Sequence, residues 1–131
     1  MSSILIVEDH NIFGKALVRL LTDRMHVKVV GVIGSGEEAL EKLPGLNIDL
    51  ALVDVSLPRM TGIQLVSAIN EKFPNILCLM LSGHLTPFYV QRSLEAGARG
   101  YVLKDDIPGV LEGVQRVLNG EIYISKVLRE Q

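Results

Sequence analysis

Short apolar runs recur along the chain at Ile4–Val7, Val27–Ile33, Leu50–Val53, Ile76–Leu81 and Gly100–Leu103. They are continuous rather than alternating, the pattern of strands buried on both faces. Between them the apolar positions change to a helical period. Phe13, Ala16, Leu17, Leu20 and Leu21 form a single stripe. Ser35 before Gly36-Glu37-Glu38 supplies a cap and first-turn acids that suit the helix dipole. Thr61 to Lys72 predicts a third helix, stopped with the help of Pro74. Thr86-Pro87 places a cap and a proline at the start of a fourth, running to about Ala96. Ile107, Val110, Leu111, Val114, Val117 and Leu118 make the stripe of a fifth, ending at Asn119-Gly120. A strand–helix unit repeated in this way predicts an α/β domain over residues 1–120: a five-stranded parallel sheet, right-handed crossovers and helices on both faces. Residues 121–131 are polar around Ile122-Tyr123-Ile124 and read as either an edge extension or the start of a linker.

Composition narrows the class. A chain of 131 residues with 48% hydrophobic content fits one compact domain with a sizeable core. A net charge of -2 without a long basic run argues against a strongly electrostatic nucleic-acid surface. Cys78, the single cysteine, excludes an internal disulfide, fits a reducing compartment and reads as a buried structural thiol. No run approaches the roughly 20 apolar residues of a membrane span, and Ile4–Val7 is too short for a signal peptide. The chain reads as soluble and cytoplasmic.

The candidate chemistry lies where the strands stop. Glu8 and Asp9 follow the first run, Asp54 the third, Ser82 the fourth and Lys104 the fifth. In open α/β sheets, ligands gather at the carboxyl ends of the strands. Carboxylates, a hydroxyl and an ammonium meeting there suit a divalent cation and a phosphoryl group. Asp54 is then either a ligand alone or a ligand and a nucleophile, since a carboxylate oxygen can attack phosphorus to give an aspartyl phosphate.

Four stretches carry a resemblance: Ile-Leu-Ile-Val-Glu8-Asp9; Leu-Val-Asp54-Val-Ser56-Leu-Pro58-Arg-Met-Thr-Gly62; Met-Leu-Ser82-Gly83; and Ala-Gly97-Ala-Arg-Gly-Tyr101-Val-Leu-Lys104-Asp105. With these, residues from about Ser2 to Asn119 resemble the receiver domain of two-component response regulators, with a flavodoxin-like (βα)5 fold. Lys104-Asp105 and the later Asn-Gly-Glu-Ile-Tyr-Ile-Ser resemble the NarL/FixJ-like subset. The resemblance implies that Asp54 is the phosphoacceptor, and that Glu8, Asp9, Asp54 and the Ser56 backbone carbonyl hold Mg2+ (or Mn2+). It implies that Ser82 and Lys104 contact the phosphoryl group, with Ser82 and Tyr101 as switch residues. Pro58 and Gly62 would shape the loop after the acceptor, while Ser56 and His84 would tune phosphoryl lifetime. The implied partner is a sensor histidine kinase, and the implied output is a homodimer or an effector. DNA would be reached only through a helix-turn-helix domain absent from this chain. Such a protein is a regulator that assists its own phosphorylation and dephosphorylation rather than a turnover enzyme.

Departures from the family pattern are specific. Glu8 stands where many relatives have aspartate, Thr61 where an acid or amide is common, and Asp105 where proline often follows the lysine. A cis peptide after Lys104 is therefore not assumed. His10, beside the acidic pair, reads as a helix-entry histidine or an outer-shell neighbour of the metal, and His26 as a surface residue. Gly34-Ser-Gly36-Glu-Glu-Ala39 matches a dinucleotide fingerprint, but Glu37 and Glu38 in that first turn would repel a pyrophosphate. Ser56 occupies the position where a haloacid-dehalogenase-like phosphatase needs its second acid. No histidine or cysteine spacing supports a zinc site. Two alternatives stay open: a phosphorylation-independent scaffold or binding module, and a small flavodoxin-like ligand-binding domain.

Overall fold

The structure is a computed structural model that describes residues 1–84 and 86–130. Its elements are β1 (Ser2–Val7), α1 (Asn11–Arg24), β2 (Val27–Ile33), α2 (Gly36–Lys42) with a 3-10 turn (Leu43–Gly45), β3 (Leu50–Asp54) and α3 (Gly62–Lys72). They continue with β4 (Leu77–Ser82), α4 (Pro87–Ala96), β5 (Gly100–Leu103), α5 (Ile107–Leu118), β6 (Tyr123–Ile124) and α6 (Lys126–Arg129). The strands lie in the order β2-β1-β3-β4-β5-β6, and every pairing is parallel. The chain therefore reverses its direction of travel across the sheet between β1 and β3, placing a crevice at their carboxyl ends.

Alternate residues of the central strands feed two separate apolar layers, as a pleated strand requires. Ile4, Ile6, Leu50, Leu52, Leu79, Leu81 and Val102 pack with α1 and α5 through Leu17, Leu21, Val110, Val114 and Val117. Leu5, Val7, Ala51, Val53, Cys78, Met80 and Tyr101 face the other way, onto Ala39, Leu43, Leu65, Val66 and Ile69. Ser35 caps α2 by accepting from Glu38 N–H, and Thr61 caps α3 in a reciprocal box with Gln64.

The sheet has six strands rather than the expected five. Tyr123 and Ile124 are too few to show a period, and their strand is made by tertiary contacts. After Gly120 turns at a φ of 88°, Tyr123 N–H donates to the Arg99 carbonyl at 3.1 Å and Ser125 N–H to that of Tyr101 at 3.0 Å. Residues 123–124 are thus the edge extension rather than a loose linker, whereas Gln131 of the expected tail lies outside the described residues. Two sequence expectations change with context. β2 lies at the sheet edge, so Val30 and Val32 are exposed instead of doubly buried. In α1 the buried face is Gly14, Leu17 and Leu21, and Ala16 of the expected stripe faces outward.

Two consequences of the packing are measurable. A Cβ at Gly62 would overlap the Asp54 carbonyl oxygen and crowd Val55 Cα at 2.8 Å. Both are main-chain atoms that cannot rotate away. Gly62→Ala is expected to lower stability by about 1–3 kcal/mol in urea unfolding, the range of overpacked cores. Cys78 is buried on β4, and burial pushes its thiol up to about 12. The expected result is no alkylation by iodoacetamide at pH 8 in the folded protein and complete alkylation in denaturant, read by mass.

Candidate phosphoacceptor and metal site

Four of the strands, β1, β3, β4 and β5, deliver a chemical group as they end. Asp54 and Ser82 are the last residues of β3 and β4, while Glu8-Asp9 and Lys104 immediately follow β1 and β5. Parallel register makes these ends neighbours: Val7 pairs with Val53, Asp54 with Leu81 and Ser82 with Leu103. The site is mostly interior, with Glu8 and Asp54 each only 1% exposed and Ser82 and Tyr101 at 0%. Asp9 stays at the rim and remains open to solvent.

Lys104 ties the carboxylates together. Its Nζ donates to Asp54 Oδ2 at 3.0 Å and sits 2.9 Å from Glu8 Oε1. The Glu8 oxygen is buried and shares this one ammonium with Asp54. Burial pulls the Lys104 pKa down, but the Glu8 and Asp54 carboxylates outweigh it and hold the value above that of ordinary lysine. Beneath the ammonium lies the Phe13 ring, its centroid 4.9 Å from Nζ. On the other side of Asp54, Ser56 N–H donates to Oδ1 at 3.0 Å.

The chemistry of the donors fits a hard divalent cation. Glu8, Asp9, His10 and Asp54 each offer a ligand atom, and these atoms lie within 4.8 Å of one another. One ammonium cannot balance three acids, and Glu8 Oε1 and Asp54 Oδ2 have to share it. Oxygen-rich, negatively charged and incompletely satisfied, the cluster suits magnesium. His10 belongs closer to this set than a bystander would. Its Nδ1 lies 3.0 Å from Glu8 Oε2 and 3.5 Å from Asp9 Oδ1, and its backbone N–H also donates to Glu8 Oε2.

The remaining expected residues meet close to Asp54. Ser56 Oγ and His84 Nε2 are 3.1 Å apart, joining the loop after β3 to the loop after β4. His84 N–H donates to Ser82 Oγ at 2.8 Å, and Tyr101 OH donates to the His84 carbonyl at 3.3 Å. The His84 ring also lies 5.0 Å from that of Tyr89 on α4. Burial raises the Tyr101 pKa, so its phenol keeps the proton that it donates here. Lys104-Asp105 is trans, since none of the described residues forms a cis peptide. Phe13 escaped the sequence reading because a helical stripe also explains it. Its one available signal was its place just after the acidic pair.

Comparison with known proteins agrees with this geometry. The family described as "Response regulator receiver domain" matches residues 4–116. The chain is 33% identical over 122 residues to the transcriptional regulatory protein DegU of Brevibacillus brevis, covering 92% of this chain and 52% of that protein. It is also 33% identical over 126 residues to the transcriptional regulatory protein UhpA of Escherichia coli K12, covering 95% and 63% respectively. It therefore spans only about half to three-fifths of these relatives. Among solved structures it is similar to a LuxR-family two-component response regulator from Aurantimonas sp. SI85-9A1. That match has a TM-score of 0.95 and 25% identity, over 99% of this chain and 94% of that one. The signal receiver domain of a NarL response regulator from Mycobacterium tuberculosis matches with a TM-score of 0.85 and 30% identity, over 92% and 98%. Fold, sequence and the order of the strand-end residues agree, and the chain belongs to the receiver domains of two-component response regulators, in the NarL/FixJ subset.

Proposed function

We propose that Asp54 accepts a phosphoryl group from a sensor histidine kinase in a Mg2+-dependent reaction, and that its phosphorylation switches dimerisation or an effector. The observation that carries this is Asp54 itself: a buried carboxylate at a strand end, held by Ser56 N–H on one oxygen and by Lys104 on the other. These two donors leave lone pairs on both oxygens, so the carboxylate is oriented without being consumed. An Asp54 oxygen forms the new bond to phosphorus as the bond to the donor imidazole breaks, and the leaving nitrogen recovers a proton from water. Lys104 offsets charge on the transferring oxygens, and the Ser82 hydroxyl donates to one of them. Glu8, Asp9, Asp54 and the Ser56 carbonyl would hold Mg2+ (or Mn2+), with His10 beside them. When bound, the cation supplies neutralising charge to the phosphoryl oxygens.

Ser56 and His84, hydrogen-bonded to one another across the mouth, stand where they can restrict water and so tune phosphoryl lifetime. Tyr101 is already inside the structure, linked to the loop that carries His84. Phosphorylation would shift the population of that arrangement and with it α4 and β5. A near-complete shift takes about 5.5 kcal/mol of differential interaction. Charge-assisted hydrogen bonds of roughly 1.5–3 kcal/mol each to Ser82 and Lys104 bring that within reach. Tyr101→Ala is expected to leave uptake within about twofold of the parent yet remove the phosphorylation-dependent change in oligomeric state. Phosphorylation kinetics beside light scattering check both halves.

Residues 1–120 are proposed as the phosphoacceptor domain, with Tyr123 to Leu128 packed onto its sheet and core before any linker to an effector. DNA would be contacted only through such an effector. Among the described residues no helix is long and apolar enough to cross a membrane, and a cytoplasmic location is proposed from the family. Borohydride trapping tests the acceptor: it reduces an acyl phosphate to the alcohol, so peptide mapping should find homoserine at position 54. Homoserine at another aspartate, hydroxynorvaline at a glutamate, or no reduced residue in a protein carrying phosphate would contradict the assignment.

A further inference from the structure

Lys104 is carried on a tight turn from Leu103 to Asp106, closed by Asp106 N–H donating to the Leu103 carbonyl at 3.0 Å. On the β4 side the turn is held by Lys104 N–H, which donates to the Ser82 carbonyl at 2.9 Å. The opposite side needs another support, because β6 ends at Ile124 and supplies no further strand residue. A side chain takes over there. Ser125 Oγ accepts from Leu103 N–H at 3.1 Å and donates to Asp106 Oδ2 at 2.8 Å.

One hydroxyl thus bridges both ends of the lysine-bearing turn, using its proton on one and a lone pair on the other. Ser125 is fully buried, at 0% exposure, so water does not replace it readily. The second Asp106 oxygen accepts from Gly109 N–H at 3.0 Å and caps α5. A Cβ at Gly109 would overlap Asp106 Oδ2, so a larger residue there would displace the capping carboxylate. The serine is itself anchored. Its N–H donates to the Tyr101 carbonyl at 3.0 Å, and Leu128 of α6 joins the apolar layer under α2 and α3.

We propose that Ser125 is a positioning residue for Lys104: its hydroxyl bridges Leu103 and Asp106 and so sets where the ammonium meets the phosphoryl group. This rests on the role proposed above for Lys104. It makes the segment after α5 part of the site's support. Position 125 also touches the backbone of Tyr101, so the same segment is joined to the switch residue.

Beryllofluoride, a phosphoryl mimic, tests this when titrated at saturating Mg2+ into the full chain carrying Ser125→Ala or Ser125→Cys. The cysteine variant fills the space with a poor hydrogen-bonding group, which covers a failure of the alanine variant to fold. Mg2+ is titrated alone in parallel, and 13C relaxation at Lys104 Cε reports the order of the side chain. The expected result is about tenfold weaker beryllofluoride binding, the factor carried by one ordinary buried hydrogen bond. Mg2+ affinity should stay within about twofold, because the metal ligands do not touch Ser125, and Lys104 Cε should become more mobile. Unchanged beryllofluoride affinity would overturn the proposal, as would equal losses of beryllofluoride and Mg2+ with Lys104 still ordered. If the unaltered chain bound Mg2+ but no beryllofluoride, the fault would lie with the phosphoacceptor role itself, and this inference would fall with it.

Discussion

Asp54→Asn is expected to abolish phosphoryl uptake while leaving a folded domain. The amide cannot act as the nucleophile, because its nitrogen lone pair is delocalised and its oxygen carries no full charge. Its oxygen can still accept from Ser56 N–H, so the loop after β3 keeps its tie. The amide nitrogen would face Lys104 Nζ, donor against donor, and one of the lysine's two partners is lost. Against that, one buried negative charge disappears from a crowded cluster. These effects oppose one another, and the expected change in stability is within about 1–2 kcal/mol in either sign. Urea unfolding beside the uptake measurement separates a chemical defect from a folding defect.

Lys104→Ala has the second-largest expected effect, on stability as well as on switching. The lysine is the counter-ion of two almost fully buried carboxylates, and its removal leaves both uncompensated. Because the ammonium is itself partly exposed, the full cost of breaking a buried pair is discounted, to a loss of roughly 1–3 kcal/mol without metal. Added Mg2+ should restore much of it, since a ligand bound only by the folded state stabilises that state. The folded pKa of Lys104 is raised. Its contribution is therefore complete below the unfolded lysine value of about 10.4 and fades as pH rises through the folded value. The gap between parent and variant should be full at pH 8 and close in strong alkali. Urea midpoints at both pH values, with and without Mg2+, check this. The variant should still bind the cation yet couple poorly to output, and full phosphorylation-dependent switching in it would refute the role given to Lys104.

Most of this architecture was legible because it rests on local signals. Asp54 and Ser82 close apolar runs, and a parallel sheet brings such positions to one edge whatever the tertiary details. Ser35 was readable as a cap because its partner lies three residues away, whereas the Thr86 side chain makes no capping hydrogen bond and the cap at Thr61 went unread. The less legible features depend on residues distant in sequence. Ser125 meets Leu103 across 22 residues and Asp106 across 19, and neither a periodicity nor a cap links them. β6 spans only Tyr123–Ile124 and borrows its regularity from β5. The exposure of Val30 and Val32 followed from the place of β2 at the edge, which a continuous apolar run conceals. His10 was ambiguous for another reason: sequence showed it beside two acids, but only its backbone turn brings the imidazole against Glu8.

The most direct measurement is intact mass after incubation with acetyl phosphate, with and without Mg2+, for the parent chain and Asp54→Asn. Phosphorylation at Asp54 requires one phosphoryl adduct in the parent with Mg2+, little or none without it, and none in the variant. A stoichiometric adduct on Asp54→Asn would contradict the assignment outright. A parent chain that binds Mg2+ yet takes neither phosphoryl nor beryllofluoride would instead be a receiver fold working without phosphorylation.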